Sequence, residues 1–174
     1  MLVASIDSPR ERSARSAGVA RLTASVPAKV SRRRALAVLG PAGRAAWLGE
    51  AVEPVDATER DRYLVDLELR VGEQTPRITF HKAAYVDIGP LWARQREPIE
   101  VPISWRAAGL APLFPVFSGR LRWADGELAL DGYYAPPGGG LGMVADRLLL
   151  NVAARGTARL LLEKIAAAMR GEAP

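Results

Sequence analysis

Residues 116–135 have the sequence VFSGRLRWADGELALDGYYA. Apolar and polar residues alternate in both halves of this stretch, which is typical of β-strands with one buried face. A turn predicted at Ala124-Asp125-Gly126 separates the halves. The stretch therefore predicts two antiparallel strands. Their buried faces would carry Phe117, Gly119, Leu121, Trp123, Leu128, Leu130, Gly132 and Tyr134.

The same alternation continues toward the N-terminus. It occurs at residues 63–71, 78–88 and 99–106, so the chain from 63 to 135 predicts an antiparallel sheet. Pro102 lies within the third of these segments. Because proline cannot donate to a strand ladder, it predicts that this strand lies near an edge or a bulge.

Helical segments are predicted on both sides of the sheet region. A short apolar segment that ends at Pro27 predicts a first strand, and Ser31 predicts the cap of a short helix that Gly40-Pro41 ends. Pro41 would begin a second short helix. From about residue 141 to Arg170 the apolar spacing is helical, which gives a helix of roughly 44 Å at 1.5 Å per residue. The sequence predicts an α+β fold in which this long helix covers the sheet.

The basic residues are concentrated near the N-terminus. Residues 1–34 have a net charge of +6, so the remaining 140 residues have a net charge of −1 although the whole chain is at +5. A basic segment can bind phosphates without specificity. No helix-turn-helix, zinc-finger spacing or RNP-type strand accompanies it, so we expect no nucleic-acid partner.

The composition also limits metal sites and cellular location. With no cysteine and His81 as its single histidine, the chain lacks ligands for zinc, iron–sulfur or haem sites, and we expect no metal and no cofactor. No apolar run is long enough to span a membrane and the N-terminus lacks the apolar stretch of a signal peptide, so we expect a cytoplasmic protein. Residues 1–17 are polar and aperiodic and predict a disordered leader, with one domain over 18–171.

Four short motifs and the order of predicted elements resemble the START-like helix-grip superfamily, also called SRPBCC. The motifs are SVPA (25–28), VPISW (101–105), LFPV (113–116) and GYYAPPG (132–138). The resemblance covers roughly residues 19–170. Within the superfamily, the chain resembles an uncharacterised bacterial branch. It implies a curved antiparallel sheet around one long C-terminal helix, two short helices after the first strand, and a hydrophobic cavity between sheet and helix. It implies no particular ligand and carries no catalytic signature.

Lys82 is a candidate ligand residue because of its place in the strand alternation. It falls in the same phase as Ile78 and Phe80, so an unbroken strand would direct its ammonium group inward. An anionic ligand head could then compensate the buried charge. The alternative is a bulge near His81, or a side chain that extends to the cavity mouth.

The other candidate ligand residues are large inward side chains. Trp105 and Tyr134 have polar groups that could orient a ligand, or they fill the core with those groups hydrogen-bonded. Phe117 and Leu130 complete the predicted lining, and the same face contains Gly119 and Gly132. The glycines predict either a hollow or a bend in the sheet.

The sequence favours binding or carriage of a small hydrophobic or amphipathic molecule in the internal cavity. A polyketide cyclase or dehydratase that uses the same cavity is the first alternative, and its catalytic residues are not identified by any motif. A non-enzymatic interaction module with a basic N-terminal tail is the second. His81 lies in no catalytic motif, and the glycines at 138–142 lack the residues of a phosphate-binding loop. The oligomeric state is not predicted.

Overall fold

The structure is a computed structural model that describes residues 19–49, 51–52, 60–71, 78–95, 97–109, 116–135 and 144–172. At residues 68–71, 78–82 and 144–153 it describes the backbone alone. The predicted leader, residues 1–17, lies outside the described residues.

Within the described residues, seven strands form one antiparallel sheet. Its spatial order is β1-β7-β6-β5-β4-β3-β2. The strands are β1 (Ala20–Pro27), β2 (Ala51–Val52), β3 (Asp61–Val71), β4 (Ile78–Ile88), β5 (Ile99–Ala107), β6 (Val116–Ala124) and β7 (Glu127–Ala135). The five long strands predicted from residues 63–135 are confirmed, as is the first strand. The two-residue strand β2 was not predicted, because two residues are too few to show an alternation.

The described part of the chain also contains three α-helices: α1 (Arg32–Leu39), α2 (Ala45–Leu48) and α3 (Val144–Arg170). Ser31 caps α1 as predicted, and its hydroxyl accepts a hydrogen bond of 3.2 Å from the Arg34 amide. The predicted second helix is divided into a 3₁₀ turn over Pro41–Gly43 and the single turn of α2. At 27 residues, α3 is about 40 Å long.

The turn between β6 and β7 lies within the residues where the sequence predicts it. Asp125 has φ 50° and Gly126 has φ 79°, which are the left-handed values of a two-residue hairpin turn. The turn fixes the register, so that Trp123 lies opposite Leu128 and Phe117 lies opposite Tyr134. The alternating apolar residues of β6 and β7 thus lie on the same face of the sheet.

Pro102 lies in the central strand of the sheet, so the prediction that its strand lies near an edge is wrong. The pairing of β5 with β4 ends at Ile103, which lies opposite Ile88. The carbonyl of Pro102 accepts a hydrogen bond of 2.9 Å from the amide of Gly89, just beyond the end of β4. The N–H group that proline lacks would lie on the same side and would face the Gly89 carbonyl, which accepts a hydrogen bond from Nη2 of Arg44 instead.

The sheet curves around α3. The helix backbone approaches β1, β3 and β7 more closely than it approaches the middle strands β4, β5 and β6. The core lies between the two layers and includes Leu121, Leu128, Leu162 and Ile165. This arrangement is an α+β helix-grip fold, as the sequence predicts.

Candidate functional site

An aromatic row crosses three neighbouring strands on the inner face of the sheet. It consists of Trp105 on β5, Phe117 opposite it on β6, and Tyr134 opposite Phe117 on β7. Trp105 and Phe117 stack with ring centroids 4.1 Å apart and planes inclined by 20°. All three side chains are buried. The structure therefore brings together three of the five residues that the sequence predicts as ligand contacts.

Two glycines give the Phe117 ring its position. Gly119 and Gly132 lie directly opposite each other, two residues along their strands from Phe117 and Tyr134. A Cβ atom on Gly119 would lie 2.6 Å from Cζ of Phe117, and one on Gly132 would lie 2.7 Å from the same atom. The ring thus lies against both backbones. The hollow that the glycines could leave is filled at this position by Phe117.

The aromatic row lies partly on strands that α3 does not approach closely. Trp105 and Phe117 belong to β5 and β6, whereas the described part of the helix approaches β1, β3 and β7. Because the sheet curves, large side chains are needed to span the distance from the middle strands to the helix. The stacked rings of Trp105 and Phe117 therefore fill the part of the interior between the middle strands and the helix.

The indole nitrogen of Trp105 distinguishes it from two other buried tryptophans. Nε1 of Trp47 donates to the Val38 carbonyl at 3.1 Å, and Nε1 of Trp123 donates to the Ala28 carbonyl at 3.0 Å. In the described part of the chain, Nε1 of Trp105 is buried and has no hydrogen-bond partner. Buried donors in native proteins nearly always have a partner.

Two buried tyrosines add hydroxyl groups to this region. Burial raises the pKa of Tyr134, and the charge of Arg155 on α3 partly opposes that rise. Burial and the nearby Asp61 raise the pKa of Tyr63, which Arg44 opposes through its charge and a hydrogen bond. Tyr63 on β3 extends the aromatic row across the sheet, because it lies opposite Val86 on β4, and Val86 lies opposite Trp105 on β5. Both phenols are therefore neutral near pH 7 and can donate hydrogen bonds.

We expect the two raised pKa values to make the protein less stable in alkali. The folded state holds the phenolic protons more tightly than the unfolded chain, where tyrosine has a pKa near 10.0. Their stabilising contribution is fully present below that pH and is lost as the pH rises through the folded-state pKa values. Urea unfolding between about pH 8 and pH 11 should show a smaller fall in the double variant Tyr63→Phe, Tyr134→Phe than in the wild type. An equal fall would contradict this prediction.

Arg44 is a buried charged residue that the sequence did not single out. Its side chain is 2% exposed and its Nη1 donates to the carboxylate of Asp61. Nη2 donates to the Gly89 carbonyl at 2.8 Å, and Nε to the Leu39 carbonyl at 3.4 Å. The guanidinium thus joins the end of α1 to the start of β3 and the end of β4. Since all three guanidinium nitrogens donate to protein oxygens, we interpret Arg44 as a residue that holds the fold together.

Leu130 lies apart from the aromatic row. It is buried opposite Leu121, four residues before Tyr134 on β7, which is about 13 Å along a strand. Lys82 lies on β4 opposite Leu67, and its side chain is outside the described residues. Ligand contact by either residue stays a prediction.

A surface cleft lies on the connection between β4 and β5. Its volume is 610 Å³, and its lining residues are Leu91, Trp92, Ala93, Arg94, Glu97, Pro98 and Glu100. The Trp92 ring is half exposed and lies 5.7 Å from the Arg120 guanidinium carbon. Arg32 fixes the wall of the cleft by donating to the Arg94 and Glu97 carbonyls, each at 2.6 Å. None of the predicted ligand residues lines this cleft.

The described residues also limit three other kinds of feature: metal sites, buried acid–base groups and membrane-spanning helices. Within the described ranges, no group of three or more His, Cys, Asp or Glu residues could hold a metal ion. Among the described side chains, which do not include those of residues 68–71, 78–82 and 144–153, the buried polar or charged ones are Arg44 and Thr157, neither of which is a carboxylate or an imidazole. No helix in the part of the chain that the structure describes is long and apolar enough to span a membrane.

Comparison with known proteins gives distant structural likenesses. No protein-family model and no curated protein matches the chain. DynU16, a protein from the dynemicin biosynthetic locus, is similar over 89% of this chain and 48% of its own, with 18% identity and a TM-score of 0.44. A conserved protein from Geobacillus kaustophilus is similar over 87% of this chain and 96% of its own, with 13% identity and a TM-score of 0.49. The chain spans about half the length of DynU16. Likenesses of this degree concern the fold alone.

Proposed function

We propose that the chain is a START-like protein that binds or carries a small hydrophobic or amphipathic molecule between the sheet and α3. The observation that supports this most strongly is the position of the aromatic row. Its rings are buried on the inner face, and two of them lie on the middle strands that the described part of α3 approaches least. Aromatic side chains with a few polar groups are the usual lining of small-molecule sites.

A cyclase or dehydratase is less well supported than a binder. Such chemistry needs a group that can accept and donate a proton near neutral pH. Tyr63 and Tyr134 have raised pKa values and therefore remain protonated, so they act as hydrogen-bond donors rather than bases. In the described interior there is no buried carboxylate or imidazole to serve instead.

An interaction module that uses the basic N-terminal segment is the remaining alternative. Deletion of residues 1–17 distinguishes it from a carrier. An interaction that depends on the basic segment would be lost in the deleted protein, whereas ligand binding at the aromatic row should be retained with an unchanged dissociation constant.

We predict that a bound ligand stabilises the folded protein. A ligand at 100 times its dissociation constant should add about 2.7 kcal/mol to the free energy of unfolding, which raises the melting temperature by roughly 5–11 °C for a domain of this size. Fatty acids, isoprenoids and aromatic polyketides are the classes to test by thermal unfolding. Native mass spectrometry of protein purified without detergent would identify any molecule that is already bound.

Two variants with the same chemical change locate the site. Trp105→Leu removes a ring of the aromatic row, whereas Trp92→Leu removes the exposed ring of the surface cleft. The thermal shift should persist in Trp92→Leu and shrink in Trp105→Leu, with circular dichroism confirming that both are folded. A shift that is lost in Trp92→Leu and retained in Trp105→Leu would place the ligand in the cleft. No shift with any ligand class would contradict the proposed function.

A further inference from the structure

The unpartnered indole N–H of Trp105 indicates what a bound molecule must contain. Nε1 of Trp105 is buried without a partner in the described structure, in a side chain that is 2% exposed. Trp47 and Trp123 are equally internal, but their Nε1 atoms donate to backbone carbonyls. An indole nitrogen can donate and cannot accept, so the group that completes the site must be an acceptor.

The surroundings of Trp105 favour a neutral acceptor. Phe117 stacks on its ring, and Val86 lies opposite it on β4. The one buried cationic side chain of the described residues is Arg44, whose three nitrogens already donate to protein oxygens. Among the described side chains, none would therefore provide a buried countercharge for an anionic head at Trp105, and burial of an unpaired charge is unfavourable.

We propose that the ligand is a mainly apolar molecule with a neutral carbonyl oxygen, such as a ketone, quinone or ester, that accepts a hydrogen bond from Nε1 of Trp105. This inference rests on the proposed function, since it assumes a ligand at the aromatic row. The carbonyl satisfies the unpartnered donor, and the apolar body of the ligand packs against the rings.

Three probes of nearly the same shape separate the possible acceptors. α-Tetralone carries a ketone, tetralin is the hydrocarbon without it, and tetralin carboxylic acid carries an anion. We expect α-tetralone to bind about tenfold more tightly than tetralin, because its carbonyl oxygen can accept one hydrogen bond from the buried donor. In ¹H–¹⁵N spectra of the wild-type protein, the Trp105 indole proton should move downfield with α-tetralone and much less with tetralin.

Trp105→Phe removes the donor and keeps an aromatic ring. The tenfold preference for α-tetralone over tetralin should disappear in this variant, while tetralin still binds. Trp123→Phe is the matched control, because Nε1 of Trp123 already donates to the Ala28 carbonyl and is not free to bind a ligand. The preference should be retained in Trp123→Phe. If Trp105→Phe does not fold, the indole shift in the wild-type protein decides the question.

Three other results of the probe experiment would each contradict a different part of the proposal. Equal affinity for α-tetralone and tetralin, with an unchanged Trp105 indole signal, would overturn the carbonyl inference and leave the proposed function intact. Tighter binding of tetralin carboxylic acid than of α-tetralone would overturn the neutral acceptor and favour an anionic head, as the sequence predicts for Lys82. Absence of binding by all three probes would overturn this inference. The proposed function would be overturned as well only if fatty acids, isoprenoids and aromatic polyketides also give no thermal shift and native mass spectrometry finds no bound molecule.

Discussion

Gly132→Ala is expected to lower the free energy of unfolding by about 3 kcal/mol or more. A Cβ atom at this position would lie 2.4 Å from the Ser118 carbonyl oxygen and 2.6 Å from the Gly119 Cα atom. Both neighbours are backbone atoms of the paired strand, so a rotamer change cannot relieve the overlap. The same Cβ would lie 2.7 Å from Cζ of Phe117, which would displace the central ring of the aromatic row.

Thermal and urea unfolding measure this effect. The melting temperature should fall by about 6–12 °C, given roughly 2–4 °C per kcal/mol for a domain of this size. Gly109→Ala is the matched control, because a Cβ there would meet nothing within 4 Å. We expect that control to change the free energy of unfolding by no more than about 0.5 kcal/mol. Equal effects of the two substitutions would contradict the close approach of β6 and β7 at the glycine pair.

Arg44→Met is expected to lower the free energy of unfolding by about 3 kcal/mol. Methionine keeps much of the apolar stem, so the loss reports chiefly on the guanidinium. Without it, the Gly89 and Leu39 carbonyls lose their buried donor and Asp61 loses its ion pair. Asp61 is half exposed and remains hydrated, which keeps the expected loss at the lower end of the range for a broken buried pair.

Arg159→Met is the control for the loss of an arginine. Arg159 is exposed on α3 and pairs with Glu163 one helical turn away at 2.9 Å. Exposed pairs of this kind contribute about 0.3–0.5 kcal/mol. Urea unfolding should therefore separate Arg44→Met from Arg159→Met by at least about 2 kcal/mol. A difference below about 0.5 kcal/mol would mean that the buried hydrogen bonds of Arg44 contribute little to stability.

The strands were predictable because their signals are local. In β6 and β7, apolar residues alternate with polar ones and Asp125-Gly126 supplies the turn, so the sequence determines both the strands and their shared apolar face. Ser31 was likewise recognisable as a cap, since capping depends on the three residues that follow it. The long helix follows from a pattern that continues over many turns.

Features that depend on the pairing of distant strands were not predictable. The strand of Pro102 is central because of the order in which the seven described strands pair, and the sequence of β5 does not contain that information. Arg44 is buried because oxygens from Leu39, Asp61 and Gly89 converge on it, and these lie on three different elements.

The residues of the aromatic row could be placed on one face from the sequence, but their arrangement as a row could not be predicted. Alternation placed Trp105, Phe117, Tyr134 and Leu130 on one face, but the register decides that the first three form a row and that Leu130 lies beyond it. The unpartnered nitrogen of Trp105 could not be predicted, because it depends on which carbonyls lie near the ring in three dimensions. Tyr63 is aligned with this row only because β3 pairs with β4 in a register that places it opposite Val86.

Intermolecular nuclear Overhauser effects between bound α-tetralone and the protein test the central claim most directly. The claim is that an apolar molecule binds inside the domain against the aromatic row. We predict contacts between the probe and ring protons of both Trp105 and Phe117, which are buried and stacked on each other. Contacts confined to the exposed ring of Trp92, or to the exposed ring of Tyr133, would place the molecule on the surface and contradict the account.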